Sequence, residues 1–178
     1  MLMQDFAAGL SYKALPQDVL KVLRRSLLDS LGVAAIGSQT EMARIGTKTA
    51  RMMFGATSAS AARCLFDGNL ASLAGAAMAG AMTIDSIDAH DGTSPCKGHA
   101  GSAIFPALLV LADERSMTGQ DFATYLALAY EICYRAGLTQ HDTCADYHTS
   151  GAWTAVGVAA MTARVIGCNP MQIREAAG

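Results

Sequence analysis

The sequence predicts an all-α fold. Apolar residues recur at three- and four-residue steps, and helix start and stop signals bracket several segments. No alternating strand pattern with crossover helices stands against this reading. The 178 residues are expected to form one helical domain, 1–178, that is C-terminally incomplete.

The elements follow in order. Pro16 stands at an N1-like position, and Asp18 follows in the first turn, where a carboxylate meets the positive end of the helix dipole. Leu20, Leu23, Leu27, Leu31 and Ala34 form one apolar stripe; Lys21, Arg24, Arg25 and Asp29 lie off it, and Gly37 supplies a stop. A second helix is expected over about residues 41–54, ending at Gly55. Residues 56–66 are less regular and suit a short extended segment. Residues 69–84 are small and helix-compatible. Here Gly68, Ala71, Gly75 and Ala79 would let another backbone approach, as in a central buried helix.

Residues 103–114 are apolar on most sides and read as another core helix. Thr118 and Asp121 make a capping-box-like start, with Asp replacing the usual Glu or Gln. Phe122, Leu126, Ala129 and Cys133 continue that helix, and Gly137 is expected to end it. Residues 147–166 are the next helical segment. Asn169 as N-cap and Pro170 at N1 then open one more. About two turns remain before Gly178, and isolated helices that short are marginal, so the domain is expected to continue.

Composition narrows the function classes. Hydrophobic residues make up 52% and exclude disorder, while the net charge of −2 gives no basic footprint for nucleic acid or an anionic membrane. Charged residues are 16%, below the ~25% of an average soluble chain. Either much of the surface is buried against another copy, or part of the protein is missing. The apolar runs are Ala-, Gly-, Met- and Thr-rich, whereas a membrane span needs ~20 strongly apolar residues. No secretory signal is visible, and a cytoplasmic protein is expected. Cys64, Cys96, Cys133, Cys144 and Cys168 include no CxxC pair and are expected to be free thiols.

The polar residues are unevenly placed. All four histidines fall in two windows, His90 with His99 and His141 with His148. The first window, residues 85–99, gathers Asp85, Asp88 and Asp91, both imidazoles and Lys97 in a Gly- and Pro-containing loop between apolar helices. Three readings are open. Asp88, His90 and Asp91 are suitable ligands for a divalent cation, although no HExxH or i,i+4 histidine pair accompanies them. Histidine titrating near neutrality beside carboxylates suits acid–base chemistry, with Lys97 binding a substrate carboxylate or shuttling a proton. The bland reading is a solvated loop whose charges cap helices. Acid–base chemistry without a metal is the reading favoured here, and Asp85 reads as a helix-end carboxylate.

In the second window Thr149 or Ser150 would cap a helix, leaving free amides near His148. A neutral His148 beside a carboxylate ligand fits a helix N-terminus; the alternative is a capping histidine packed under Trp153. His141 reads as a surface residue. Tyr130, Glu131 and Arg135 read as an intrahelical polar group, with Glu131 and Arg135 at i,i+4.

The order of these segments resembles the MmgE/PrpD family, which includes 2-methylcitrate dehydratases, cis-aconitate decarboxylases and iminodisuccinate epimerases. The resemblance spans essentially the whole chain. It runs from Leu27-Leu28-Asp29-Ser30-Leu31-Gly32 to Asp88-Ala89-His90-Asp91, and then to Lys97-Gly98-His99 with Pro106. Ala129-Tyr130-Glu131 with Arg135, and Tyr147 to Trp153 before an Ala-rich helix and Gly167, complete it. Departures occur at Asp88 to Thr93, one residue longer than the family's D-x-D-D-T, at Gly98-His99-Ala100 for G-H-P, and at His148-Thr149-Ser150 for H-P-T or H-P-S.

The resemblance implies a large helical domain, a smaller α/β lid contributed by later sequence, a homodimer and a site needing neither metal nor cofactor. Its chemistry would be that of a lyase or isomerase: dehydration, decarboxylation or epimerisation next to a carboxylate of a small di- or tricarboxylate. Asp88 and Asp91 would orient groups or exchange protons, and His99 and His148 would bind carboxylates or act as acid and base. Lys97, Thr93 and His90 would contact substrate. Further family site residues, a lysine and a tyrosine among them, would come from later sequence. The alternative is a non-catalytic helical interaction or oligomerisation module.

Overall fold

The computed structural model describes residues 2–146 and 149–178. Among them eight α-helices follow one another: α1 (Met3–Gly9), α2 (Gln17–Gly37), α3 (Glu41–Met53), α4 (Leu73–Asp85), α5 (Gly101–Arg115), α6 (Gly119–Thr143), α7 (Ser150–Val165) and α8 (Pro170–Ala177). Two 3-10 turns, Tyr12–Ala14 and Ser94–Cys96, and two antiparallel two-residue strands, β1 (Ala62–Arg63) and β2 (Leu70–Ala71), complete the described elements. The fold is mainly helical, as the periodicity predicts. No described helix is long and apolar enough to cross a membrane.

The chain divides into two compact units. The first comprises Met1–Leu23, Gly92–Ala100 and Thr118–Gly178; the second comprises Arg24–Asp91 and Gly101–Met117.

In the second unit α4 packs against both α3 and α5. One cluster of its core is almost entirely small: Ala50, Ala62, Cys64, Ala71, Ala76, Ala79 and Val110, bordered by Leu73, Ala77 and Met78; Ile84, Ile104, Phe105 and Leu108 are among the large buried side chains of the unit. The strands pair Ala62 with Ala71 and Arg63 with Leu70. Leu70 and Ala71 therefore leave the expected helix, which begins at Leu73 because the Ser72 hydroxyl accepts from the Gly75 amide at 3.2 Å. Gly68, expected to lie beside that helix, instead takes a left-handed turn at φ 76°. Along α2, which runs on from the first unit, Leu20, Leu23 and Ala34 of the predicted stripe are buried, and Leu27 and Leu31 are half-buried.

In the first unit α6 and α7 pack together, α8 lies against α7, and α1 contacts both α7 and α8. The N-terminus of α6 has the predicted capping box: Thr118 Oγ1 accepts from the Asp121 amide at 3.1 Å, and Asp121 accepts from the Thr118 amide at 3.3 Å. Asn169 and Gln172 form a second box at α8. Gly137 does not end α6, which continues to Thr143. A Cβ at Gly137 would stand 3.0 Å from Trp153 Cδ2 and from Cys96 Sγ, so glycine is present there for closeness. Trp153, 1% exposed, fills the interior with Tyr134, the ring centres 6.2 Å apart.

Gly157 carries the α6–α7 approach. A Cβ there would overlap Cys133 Sγ and lie 2.8 Å from the Ala129 carbonyl oxygen. Gly157→Ala is expected to destabilise the protein by about 1–3 kcal/mol through overpacking. Gly32→Ala, in open space on α2, should instead stabilise by roughly 0.5–1 kcal/mol. Urea unfolding of the two variants side by side checks both signs.

Candidate functional site

The residues singled out from the sequence fall on both units. Asp85, Asp88, His90 and Asp91 follow α4 in the second. The α4 helix stops where Asp85 passes into a turn, with the Asp88 amide donating to the Asp85 carbonyl at 3.1 Å. Asp88 is exposed and left-handed, φ 48°. Aspartate tolerates that region better than most residues because its short carboxylate bonds locally.

His90 has a side chain with no exposed surface, and its Nε2 lies 3.2 Å from Asp85 Oδ1. Burying an imidazole is costly without a polar partner. Asp85, 60% exposed, stands beside that nitrogen and forms an ion pair with the ring when the ring is protonated.

Asp91 meets a different need. Its Oδ1 accepts from the Gly101 amide at 3.1 Å. Gly101 opens α5, where the first-turn amides lack intrahelical acceptors and the dipole favours an anion. The same bond joins the residue before the Gly92–Ala100 segment to the residue after it, closing the base of that segment.

Within the first unit the Gly92–Ala100 segment is pinned repeatedly. Thr93 and Gly98 exchange two backbone hydrogen bonds, at 2.9 and 3.4 Å. Between them Ser94–Cys96 makes one 3-10 turn, and Lys97 follows at φ 48°. A lysine in the left-handed region carries backbone strain of order ~1–3 kcal/mol, and such strain concentrates at functional sites. Lys97 is exposed, whereas Thr93 and His99 are half-buried. The His99 amide donates to Ser150 Oγ at 3.1 Å.

Two readings of the second window change. His141 is not a surface residue: it lies in the last turn of α6, is half-buried, and its Nε2 is 2.6 Å from the Cys96 carbonyl oxygen. Neither Thr149 nor Ser150 gives α7 a side-chain cap; Thr149 is the N-cap without such a bond, and Ser150 serves His99. His148 and Tyr147 lie outside the described residues. Glu131 and Arg135 pair along α6 at 2.5 Å, exposed, as the i,i+4 spacing predicts.

A cavity of about 940 Å³ in the first unit lies along α1, α6 and α7, with Phe6, Ile132, Arg135, Gln140 and Trp153 in its wall. Among the described residues its wall contains none of Thr93, Lys97 and His99.

The described fold is mainly helical, with an Asp- and His-bearing tract between α4 and α5. Its family is shown by comparison: the chain belongs to the MmgE/PrpD family, matching the MmgE/PrpD N-terminal domain over residues 2–178. No match is found among curated proteins.

Cys96 sits at the heart of the strapped segment, 1% exposed, its Sγ donating to the Tyr134 carbonyl at 3.4 Å. Burial pushes its pKa up from the ordinary 9.0, against a smaller pull from the Leu138 backbone. Cys64 is raised from the same value by burial and by Asp67, with Arg51 opposing. Thiols that resist ionisation in the fold favour the folded state below the unfolded-state value, and that contribution is lost as pH rises above about 9. At pH 8 iodoacetamide is therefore expected to modify exposed Cys144 first and to spare Cys64 and Cys96 until the protein unfolds. Peptide mapping after native and denatured labelling gives the comparison.

Proposed function

We propose that the protein is an MmgE/PrpD-type lyase or isomerase acting by acid–base chemistry next to a carboxylate of a small di- or tricarboxylate. The observation that carries this reading is the family match over residues 2–178. In this reading His99 and His148 bind carboxylates or act as acid and base, Asp88 and Asp91 orient groups or relay protons, and Lys97, Thr93 and His90 contact substrate. The backbone geometry lends support: Lys97 and His99 stand on a segment tied at several points, and pre-placed groups are what acid–base catalysis requires. Asp91, engaged with the Gly101 amide, acts mainly by orientation. The chemistry needs neither metal nor cofactor, and the protein works in the cytoplasm as a homodimer.

The test is turnover of a polycarboxylate panel by the full-length protein, with products identified by mass spectrometry. His99→Ala is expected to lower kcat/KM by about a hundredfold or more while the circular-dichroism spectrum stays that of the wild type. Wild-type rates in this variant would remove His99 from the mechanism.

A second reading, a helical interaction module without catalysis, is favoured by apolar side chains in water: Leu28 on α2 is 74% exposed, and Met52 and Met53 on α3 are 75% and 72% exposed. Under this reading light scattering finds a self-associated protein, Leu28→Glu with Met52→Glu disperses it, and citrate-like acids leave the melting temperature unchanged. A monomeric wild type excludes self-association as its role.

A further inference from the structure

We propose that Ser150 and His141 are positioning residues, which hold the backbone of Cys96–His99 and thereby set where the Lys97 ammonium and the His99 imidazole stand. The proposal rests on the reading that His99 serves the chemical site.

The two bonds come from different helices and grip opposite kinds of backbone group. Ser150, the first residue of α7, accepts from the His99 amide at 3.1 Å. His141, in the last turn of α6, approaches the Cys96 carbonyl oxygen to 2.6 Å. A carbonyl only accepts, so this His141 nitrogen carries a proton and donates. Its ring is thus a structural donor to the segment.

Between the two grips sits Lys97, left-handed at φ 48°. A strained residue persists only where its surroundings over-determine the backbone. The surroundings here are the Ser150 and His141 bonds, the Thr93–Gly98 pair and the Cys96 thiol on the Tyr134 carbonyl. Gly98 makes the approach possible: a Cβ there would overlap Ser150 Oγ and stand 3.1 Å from Trp153 Cζ2. Ser150 stands one residue inside the Thr149 N-cap, and its oxygen accepts from another segment's amide. That commitment marks it as a fastening for the tract.

The test uses the conservative and the disabling variant at each position, Ser150→Thr against Ser150→Ala and His141→Gln against His141→Phe. Threonine keeps the accepting oxygen; glutamine keeps an N–H donor. Heteronuclear NMR reads the His99 amide and imidazole signals and the pH titration of that ring. Both disabling variants are expected to move these signals and the titration, and the conservative variants to restore them. In turnover, Ser150→Ala and His141→Phe are expected to lower kcat by about tenfold to a hundredfold, the scale on which a small misplacement acts, with KM changing less.

Unchanged His99 signals in Ser150→Ala and His141→Phe overturn the proposal, as do signals that move equally in the conservative variants. The outcome for the underlying reading is separate. If His99→Ala retains wild-type turnover while Ser150→Ala moves the His99 signals, the fastening stands and His99 has no part in the chemistry. If His99→Ala is inactive while Ser150→Ala and His141→Phe leave signals and rate unchanged, the chemistry stands and the positioning role is refuted.

Discussion

Close backbone approach between helices is the constraint on which the rest depends. One cluster of the second unit's core is built from alanines with one cysteine and one valine, beside the larger buried side chains of Ile84, Ile104, Phe105 and Leu108, and side chains as small as those of the cluster fill space only when their helices lie near each other. In the first unit the same demand appears at Gly157, where α7 runs against Cys133 and the Ala129 carbonyl of α6. The unusual composition follows directly. Alanine-rich helices reach a high hydrophobic fraction, 52%, without long aliphatic runs, and no described helix is long and apolar enough to cross a membrane.

Tight packing also gives the polar tract something rigid to hang from. Asp91 is tied to the start of α5, Cys96 to Tyr134 and His141 on α6, and His99 to Ser150 on α7. Asp91, one of the two carboxylates offered to chemistry, is held in direction by the Gly101 amide. The left-handed backbone at both Asp88 and Lys97 places the strained positions in the tract where function is expected, with Phe66 and Ser116 the other non-glycine examples among the described residues.

Local signals were legible because their physics is local. The Thr118–Asp121 box joins residues three apart, and the sequence shows both partners at once; at α8 the sequence reading takes in the Asn169 cap and not its Gln172 partner. The stripe from Leu20 to Ala34 was equally readable, although Leu27 and Leu31 are only half-covered. Gly137 misled because its reason for being glycine is Trp153, sixteen residues away by number and one helix away in space. Helix α1, seven residues long, is too short for periodicity to register. At the site the tract itself stood out, since clustering of Asp, His and Lys is a property of the string. The partners that hold it did not: Ser150 and His141 are separated from His99 and Cys96 by 51 and 45 positions. Nothing in a serine at a helix start announces that its oxygen faces elsewhere.

The atoms that are held matter more than their number. The described ties at Gly101, His99 and Cys96 act on an amide, an amide and a carbonyl. Backbone groups are the same whatever side chain the residue carries, so a strap built on them keeps its shape when the side chains it presents are exchanged. The glycine at position 98 belongs to the strap, because Ser150 leaves no room for a Cβ. Lys97 and His99 are instead the cargo. A scaffold that separates holding from displaying in this way lets one fold present different side chains in one place. Asp91 meets the amide that opens α5, and Ser150 meets the amide of His99, so what preserves the strap lies in the backbone it grips and not in the side chains it displays.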